Sequence, residues 1–187
     1  MDPNARLWTL LLCVLFFLPA GAAQAGREVE RDASGRIVRL IDRQALPGGQ
    51  VRAVVRDASG RITGTATTGR TSPGGVTSTT YRDASGRITG TARSHAVPSG
   101  ATRTTFRRAD GRVAGSSATA ATTHHGTRTV FRDASGRVTA TESRHAAGRS
   151  ASTIRRDTAG RVITSRRGGA DCGETARAGV QPWRRNR

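Results

Sequence analysis

The chain is short of the residues that build a large hydrophobic core. It contains no lysine, one tyrosine, one methionine and two cysteines, and aromatic residues make up 4% of its 187 positions. From residue 26 onwards, 22 of 162 residues are Leu, Ile, Val or Phe, which lies below the roughly 20% under which highly charged chains tend to be disordered. This shortage excludes a conventional two-layer enzyme core, because too little apolar surface is available to offset the entropy of folding. Disorder of the whole chain is an open alternative.

The N-terminal segment is typical of a secretory signal peptide. Arg6 precedes an apolar run over residues 7–18, and the segment ends in Ala23, Gln24 and Ala25, the order of charged start, apolar stretch and small-residue cleavage site. We therefore predict cleavage after Ala25 and a secreted or periplasmic location. The run is shorter than the roughly 20 residues that span a bilayer, so no retained transmembrane segment is expected. Cleavage leaves one cysteine, Cys172, which excludes an intramolecular disulfide.

One six-residue motif recurs along the rest of the chain. The string RDASGR begins at Arg31, Arg56, Arg82 and Arg132, and related strings begin at Arg107 and Arg156. The glycines of successive copies are separated by 25, 26, 25, 25 and 24 residues. Six units at an almost constant period indicate duplication of one structural module.

The motif predicts a tight turn between two strands. An aspartate that opens a turn can accept backbone N–H groups, and a glycine that closes it can adopt a positive φ. Gly- and Pro-rich breakers lie about halfway between copies, so turns recur about every 12 residues, the spacing of an all-β meander. The predicted turn residues are Asp32, Gly35, Asp57, Gly60, Asp83, Gly86, Gly111, Asp133, Gly136, Asp157 and Gly160.

These features predict an all-β fold with an array of about six repeated β-hairpins. The array forms an open or curled antiparallel meander over residues 26–167, between the signal peptide (1–25) and a basic flexible tail (168–187). Two hairpin registers are possible. The favoured register sets Arg82 opposite Arg87 and concentrates the scarce apolar groups on one face. The other sets Asp83 opposite Arg87 and sends Tyr81 and Ile88 to opposite faces. The favoured register predicts an apolar face of Tyr81, Ile88, Phe106, Val113, Phe131 and Val138.

The motif resembles the YD repeats of the RHS family, bacterial secreted proteins whose units carry an aromatic residue, an aspartate, a glycine, an arginine and an aliphatic residue. Tyr81, Asp83, Gly86, Arg87 and Ile88 supply these types here. The chain departs from the family pattern in the spacing of aromatic and aspartate, and in the first and last copies, where Glu30 and Arg155 replace the aromatic. The resemblance spans about residues 27–167. It implies a secreted hairpin array and carries no function over to this chain.

The sequence contains no recognisable catalytic, metal or cofactor constellation. The acidic residues outside the turns form no recurring pair suited to general acid and base catalysis. Each turn aspartate has two arginines beside it and no second ligand, so it is interpreted as a turn cap rather than a calcium ligand. The histidines His95, His124, His125 and His145 lack a Cys or carboxylate partner that would complete a metal site. We therefore predict a protein that is not an enzyme and binds no metal or cofactor.

Arginine is the remaining indication of function. All 31 basic residues are arginine, against 13 acidic residues, and the formal net charge is +18. In a regular array the arginines of the motif form rows, which suits polyanions because a guanidinium matches phosphate and carboxylate groups. The predicted residues are Arg82, Arg87, Arg107, Arg112, Arg132, Arg137, Arg156 and Arg161. The expected partners are anionic envelope glycans, lipid head groups, extracellular nucleic acid or a protein. The alternative is an RHS-like accessory or remnant protein that binds a partner through its apolar sheet face or edge.

Overall fold

The computed structural model describes residues 26–122, 126–147 and 150–169, which form twelve strands. The predicted signal peptide (1–25), His124, His125 and the part of the predicted tail beyond residue 169, with Cys172, lie outside the described residues. The strands are β1 (Gly26–Asp32), β2 (Ile37–Leu46), β3 (Gln50–Arg56), β4 (Ile62–Thr68), β5 (Thr77–Asp83), β6 (Ile88–Ala96), β7 (Thr102–Arg108), β8 (Val113–Ala121), β9 (Gly126–Asp133), β10 (Val138–Ala147), β11 (Ser150–Arg156) and β12 (Val162–Gly169). A short 3-10 turn, Pro47–Gly49, joins β2 to β3.

Each RDASGR motif forms the turn of one hairpin. In the third copy, the N–H of Asp83 donates to the carbonyl of Arg87 at 3.0 Å, and the N–H of Gly86 donates to the carbonyl of Asp83 at 3.1 Å. Gly86 has a φ of 80°, which an L-residue with a side chain rarely adopts and glycine adopts without strain. This geometry is a type I turn closed by a left-handed glycine.

The favoured register was wrong, because a bulge follows every one of these turns. Asp83 faces Arg87 across the turn, Arg82 pairs with Ile88, and Tyr81 pairs with Gly90. Thr89, between Ile88 and Gly90, is left unpaired. Because of this extra residue, the side chain of Ile88 lies on the face opposite to the one that strict alternation along the strand predicts. The register shifts at the same place in all six hairpins.

The predicted apolar face is therefore divided between two sides of the sheet. The aromatic residues Tyr81, Phe106 and Phe131 are buried, with 2 to 4% of their surface exposed. Their expected partners Ile88, Val113 and Val138 lie on the other side and are 38 to 47% exposed. In the four middle hairpins the large interior residue before the motif instead pairs with a glycine or alanine across its hairpin, in the pairs Val55–Gly64, Tyr81–Gly90, Phe106–Gly115 and Phe131–Ala140.

The sheet is a closed barrel, and the expectation of an open or curled array was wrong in this respect. The strands follow one another as an antiparallel meander, as predicted, and β1 then pairs with β12 from Glu28–Gly168 to Asp32–Thr164. Closure has a physical reason. An open sheet would leave the backbone groups of its two edge strands unpaired, and closure pairs them with each other. The six bulges along one rim add the curvature and twist that closure needs.

Candidate functional site

The six motif turns lie together at one end of the barrel, because a meander makes every odd-to-even connection at the same end. We call this end the turn crown. It consists of residues 31–36, 56–61, 82–87, 107–112, 132–137 and 156–161. The crown contains thirteen arginines and six aspartates, so its formal net charge is +7. All eight arginines that the sequence predicts as polyanion ligands lie in it.

The turn aspartates hold the turns together rather than projecting into solvent. The Oδ1 atom of Asp83 accepts the N–H groups of Ser85 and Arg87, both at 2.9 Å. The carboxylates of Asp32, Asp57, Asp133 and Asp157 accept the N–H groups two and four residues ahead in the same way.

Hydrogen bonds to the charged carboxylate lower the pKa of three of these aspartates. For Asp32 and Asp57 the largest cause is a serine hydroxyl that donates to Oδ1 at 2.6 Å. For Asp157 it is the N–H of Arg161. A lowered pKa means that the turns are stabilised by ionised carboxylates and lose that contribution as the pH falls through the lowered value.

The fourth turn keeps this geometry although its aspartate has moved. Arg108 occupies the position of the turn aspartate, and Asp110 stands two residues later. The N–H of Arg112 donates to Asp110 Oδ1 at 3.0 Å and so recovers one of the two bonds. The backbone bonds of the turn are unchanged, and Gly111 has a φ of 82°. This copy carries one positive charge more than the others.

The first arginine of every motif is fixed by its own turn. In each hairpin its Nη1 atom donates to the carbonyl oxygen of the turn glycine four residues later, at 2.8 to 3.0 Å. The six pairs are Arg31–Gly35, Arg56–Gly60, Arg82–Gly86, Arg107–Gly111, Arg132–Gly136 and Arg156–Gly160. The bond uses one of the five N–H donors of a guanidinium and holds the group at the rim.

The second arginine of every motif is exposed. The side chains of Arg112 and Arg161 are 84% and 82% exposed, and each lies near an aspartate of its own turn, at 3.9 Å from Asp110 and 2.9 Å from Asp157. Arg36, Arg61, Arg87 and Arg137 are exposed in the same position. The crown therefore has a ring of fixed guanidiniums and a ring of solvent-exposed ones.

The first two hairpins complete the crown. Their arginines, Arg31, Arg36, Arg56 and Arg61, were not among the predicted ligands, although they have the geometry of the other copies. The repeat itself is the signal that identifies them, since they occupy the same motif positions. Arg56 is the least exposed of them, and its Nε lies 3.4 Å from Asp42 on the outer face.

A second group of charges lies inside the barrel, where the first and last hairpins meet. Arg166 is bonded through Nη2 to Glu142 Oε2 at 2.9 Å, and its Nη1 lies 3.8 Å from Glu28 Oε2. Glu28 also accepts two bonds from Arg43, at 3.2 and 3.3 Å. We call this cluster the ionic seam; it comprises Glu28, Glu30, Arg39, Arg43, Glu142, Arg155 and Arg166.

Glu30 and Arg155 occupy positions that are aromatic in the third, fourth and fifth hairpins, and Arg39 occupies the position opposite Glu30 that is glycine or alanine in those hairpins. Glu30 faces Arg39 within the first hairpin, with Arg39 Nη1 3.2 Å from Glu30 Oε2, and faces Arg166 across the closing strands. The guanidinium of Arg155 lies 4.5 Å from the ring centre of Phe131. The seam thus replaces aromatic packing at both ends of the array.

Burial and ion pairing act against each other in the seam. Burial raises the pKa of Glu142 and outweighs the opposing effect of Arg166 and Arg155, and its Oε1 atom is buried without a hydrogen-bond partner among the described residues. Burial also opposes ionisation of Glu28, but Arg43 and Arg166 outweigh it and lower the pKa of that carboxyl. The pKa of Arg166 is raised, because three glutamates together exceed the effect of its burial.

The seam was not predicted from the sequence. Its only signal was the presence of Glu30 and Arg155 at aromatic positions, which were read as departures from the repeat. Among the described residues, no three His, Cys, Asp or Glu side chains lie close enough together to hold a metal ion. Within the same ranges of the chain, no helix is long and apolar enough to cross a bilayer.

No protein-family model matches the chain, and no curated protein matches it in sequence.

Proposed function

We propose that the chain is a secreted or periplasmic, non-enzymatic interaction protein whose turn crown binds anionic polymers. The observation that carries the proposal is the sixfold repetition of one bond, from the first arginine of each turn to the carbonyl of its glycine. A guanidinium that is already held in place loses less side-chain entropy on binding than a freely rotating one. We propose in addition that the hairpin module is shared with YD repeats.

Charge balance supports the crown as the binding surface. The net charge of +7 lies at one end of the twelve-stranded barrel. Clustered charge of one sign attracts polyanions and accelerates association. On the outer face of the first hairpin, by contrast, Asp42 pairs with Arg27 at 2.6 Å. Positive charge there is partly neutralised by the protein itself.

Binding through the apolar face, the alternative function, has little support in a closed barrel. Tyr81, Phe106 and Phe131 are buried in the interior. The two edges that an open array would offer are paired with each other as β1 and β12. The surface that this alternative requires is therefore occupied within the chain.

The test compares two variants that lose the same charge. Residues 26–187 contain all twelve strands and omit the apolar run. In the crown variant, the turn-bonded arginines Arg82, Arg107, Arg132 and Arg156 become glutamine, and the backbone hydrogen bonds of each turn are kept. In the control variant, four exposed arginines of the strand bodies become glutamine, namely Arg52, Arg93, Arg103 and Arg128.

With heparin as the soluble polyanion, we expect the wild type to bind with a steep salt dependence. The crown variant should bind about tenfold more weakly at 0.1 M salt, roughly the effect of losing a few exposed ionic contacts, and the control should change much less. Equal weakening of both variants would show that diffuse charge, not the crown, is responsible. Failure of the wild type to bind at low salt would refute the proposal.

A further inference from the structure

Apolar side chains on the outside of the barrel are concentrated directly below the turn crown. The residue after the second arginine of every motif is Ile or Val, and it is 37 to 47% exposed. We call this ring the apolar collar: Ile37, Ile62, Ile88, Val113, Val138 and Val162. Exposed large hydrophobic residues in the described part of the chain are these six and Val38, which adjoins Ile37.

The collar is an unusual use of scarce residues. Residues 26–187 contain 18 Ile and Val in all, and six of them stand in the collar. Elsewhere the outward positions of the middle strands are largely threonine, serine and arginine, as in Thr63, Thr65 and Thr67 of β4. Threonine has the same branched shape and suits a solvated strand, so folding alone does not require Ile or Val at these positions.

Collar and crown form one surface. In every hairpin the collar residue pairs with the first arginine of the turn, as Ile88 does with Arg82 and Val113 with Arg107. The collar thus lies two residues behind the turn glycine, about 7 Å from the tip at the rise of a β-strand. That depth is comparable with the headgroup layer of a bilayer, about 5–8 Å on each side.

We propose that the turn end of the barrel docks on the surface of an anionic lipid bilayer. The crown arginines contact the lipid phosphates, and the side chains of the collar are transferred from water into the headgroup layer. The proposal deepens, and rests on, the polyanion binding proposed for the crown. A soluble polyanion contacts the arginines of the crown, while the collar stays in water. A bilayer presents anionic headgroups at its surface and apolar acyl chains below them, so it can contact both the crown and the collar. A second copy of the chain is disfavoured because two crowns of charge +7 repel each other.

The experiment uses vesicles of equal parts phosphatidylglycerol and phosphatidylcholine, with phosphatidylcholine vesicles as the uncharged comparison and heparin as the soluble polyanion. In the collar variant, Ile88, Val113 and Val138 become threonine, which keeps the branched shape of a strand residue. In the matched control, Ile154, Val54 and Val130, half-buried residues in the middle of outer strand faces, become threonine.

We expect wild-type residues 26–187 to bind the anionic vesicles and not the neutral ones. The collar variant should lose about tenfold in partitioning, because three exposed apolar groups no longer leave water on binding. Its heparin affinity should be unchanged, and the control should match the wild type in both assays. In a Trp183→Phe background, Ile88→Trp should shift its emission to the blue on anionic vesicles, and Val130→Trp should not.

Several outcomes overturn the inference. A wild type that binds heparin but not anionic vesicles leaves the crown proposal intact and removes the bilayer. Equal vesicle binding by the collar variant and the wild type, with no blue shift of the Ile88→Trp emission, assigns the interaction to charge alone. A wild type that binds neither heparin nor vesicles refutes both proposals. If the collar variant is misfolded by circular dichroism, the two tryptophan variants decide the question.

Discussion

The interior of the barrel has two regions that are built on opposite principles. In the four middle hairpins a large apolar residue packs against a small one, as Tyr81 does against Gly90 and Phe106 against Gly115. In the first and last hairpins the equivalent large residues are Glu30 and Arg155, and the space is filled by the ionic seam. The interior of the repeated hairpin is therefore packed with apolar side chains in the middle of the array. It contains ion pairs where the first and last hairpins close the barrel.

The difference concerns specificity. Apolar contacts are non-directional, so identical hairpins with apolar interiors can pair with any neighbour, including one from another chain. Charged residues discriminate between partners, since a like charge opposite costs free energy and an unlike one does not. Glu30 faces Arg166 across β1 and β12, and this pair identifies the one correct closure of a six-hairpin array. Predictions that disturb one region and spare the other test this interpretation.

The largest effect is expected from Arg166→Met. It leaves Glu142 buried without its 2.9 Å partner and removes the charge that faces Glu30. Loss of one member of a buried ion pair costs about 3–5 kcal/mol, to be measured by urea unfolding. The double variant Glu142→Met/Arg166→Met should be more stable than Arg166→Met alone, because one unpaired buried carboxylate is removed. A double variant less stable than the single one would contradict the ionic account of the seam.

An intermediate effect is expected in the neutral region, from Gly64→Ala. A Cβ atom at Gly64 would lie 2.6 Å from the carbonyl oxygen of Arg82, and Gly115 has the same relation to the carbonyl of Arg132. Overpacking of this kind costs about 1–3 kcal/mol. Gly69→Ala is the control, since its Cβ would lie 3.7 Å from the nearest atom. The free energies of unfolding of the two variants are compared. Equal values would contradict the packing account.

The smallest effect is expected from pH. Burial raises the pKa of Glu142, so the folded chain holds this proton more tightly than the unfolded chain. The stabilisation is complete below the ordinary glutamate pKa and is lost as the pH rises through the raised value. Because glutamine does not titrate, the difference in melting temperature between Glu142→Gln and the wild type should shift in favour of the variant as the pH rises through that window, whatever the difference is at low pH. A constant difference between the two pH profiles would show that Glu142 does not titrate there.

The turn motif and its period were enough to predict the class of fold and the turns. Aspartate bonding and the positive φ of glycine are local properties of six residues, and they recur in the structure as expected. The crown arginines follow from the same repeat. The direction of Ile88 did not follow, because strict alternation was assumed across a bulge. One unpaired residue after the turn reverses its side and produces the apolar collar.

The sequence by itself determined the strands, the turns and the positions at which the first and last copies differ from the rest, since each depends on residues close together in the chain. Only the tertiary structure decided that the sheet closes, that Glu30 meets Arg166, and that the six turns form one crown. The reason is physical. The pairing of β1 with β12 joins residues from opposite ends of the array, and no local sequence pattern specifies which distant strand pairs with an edge strand.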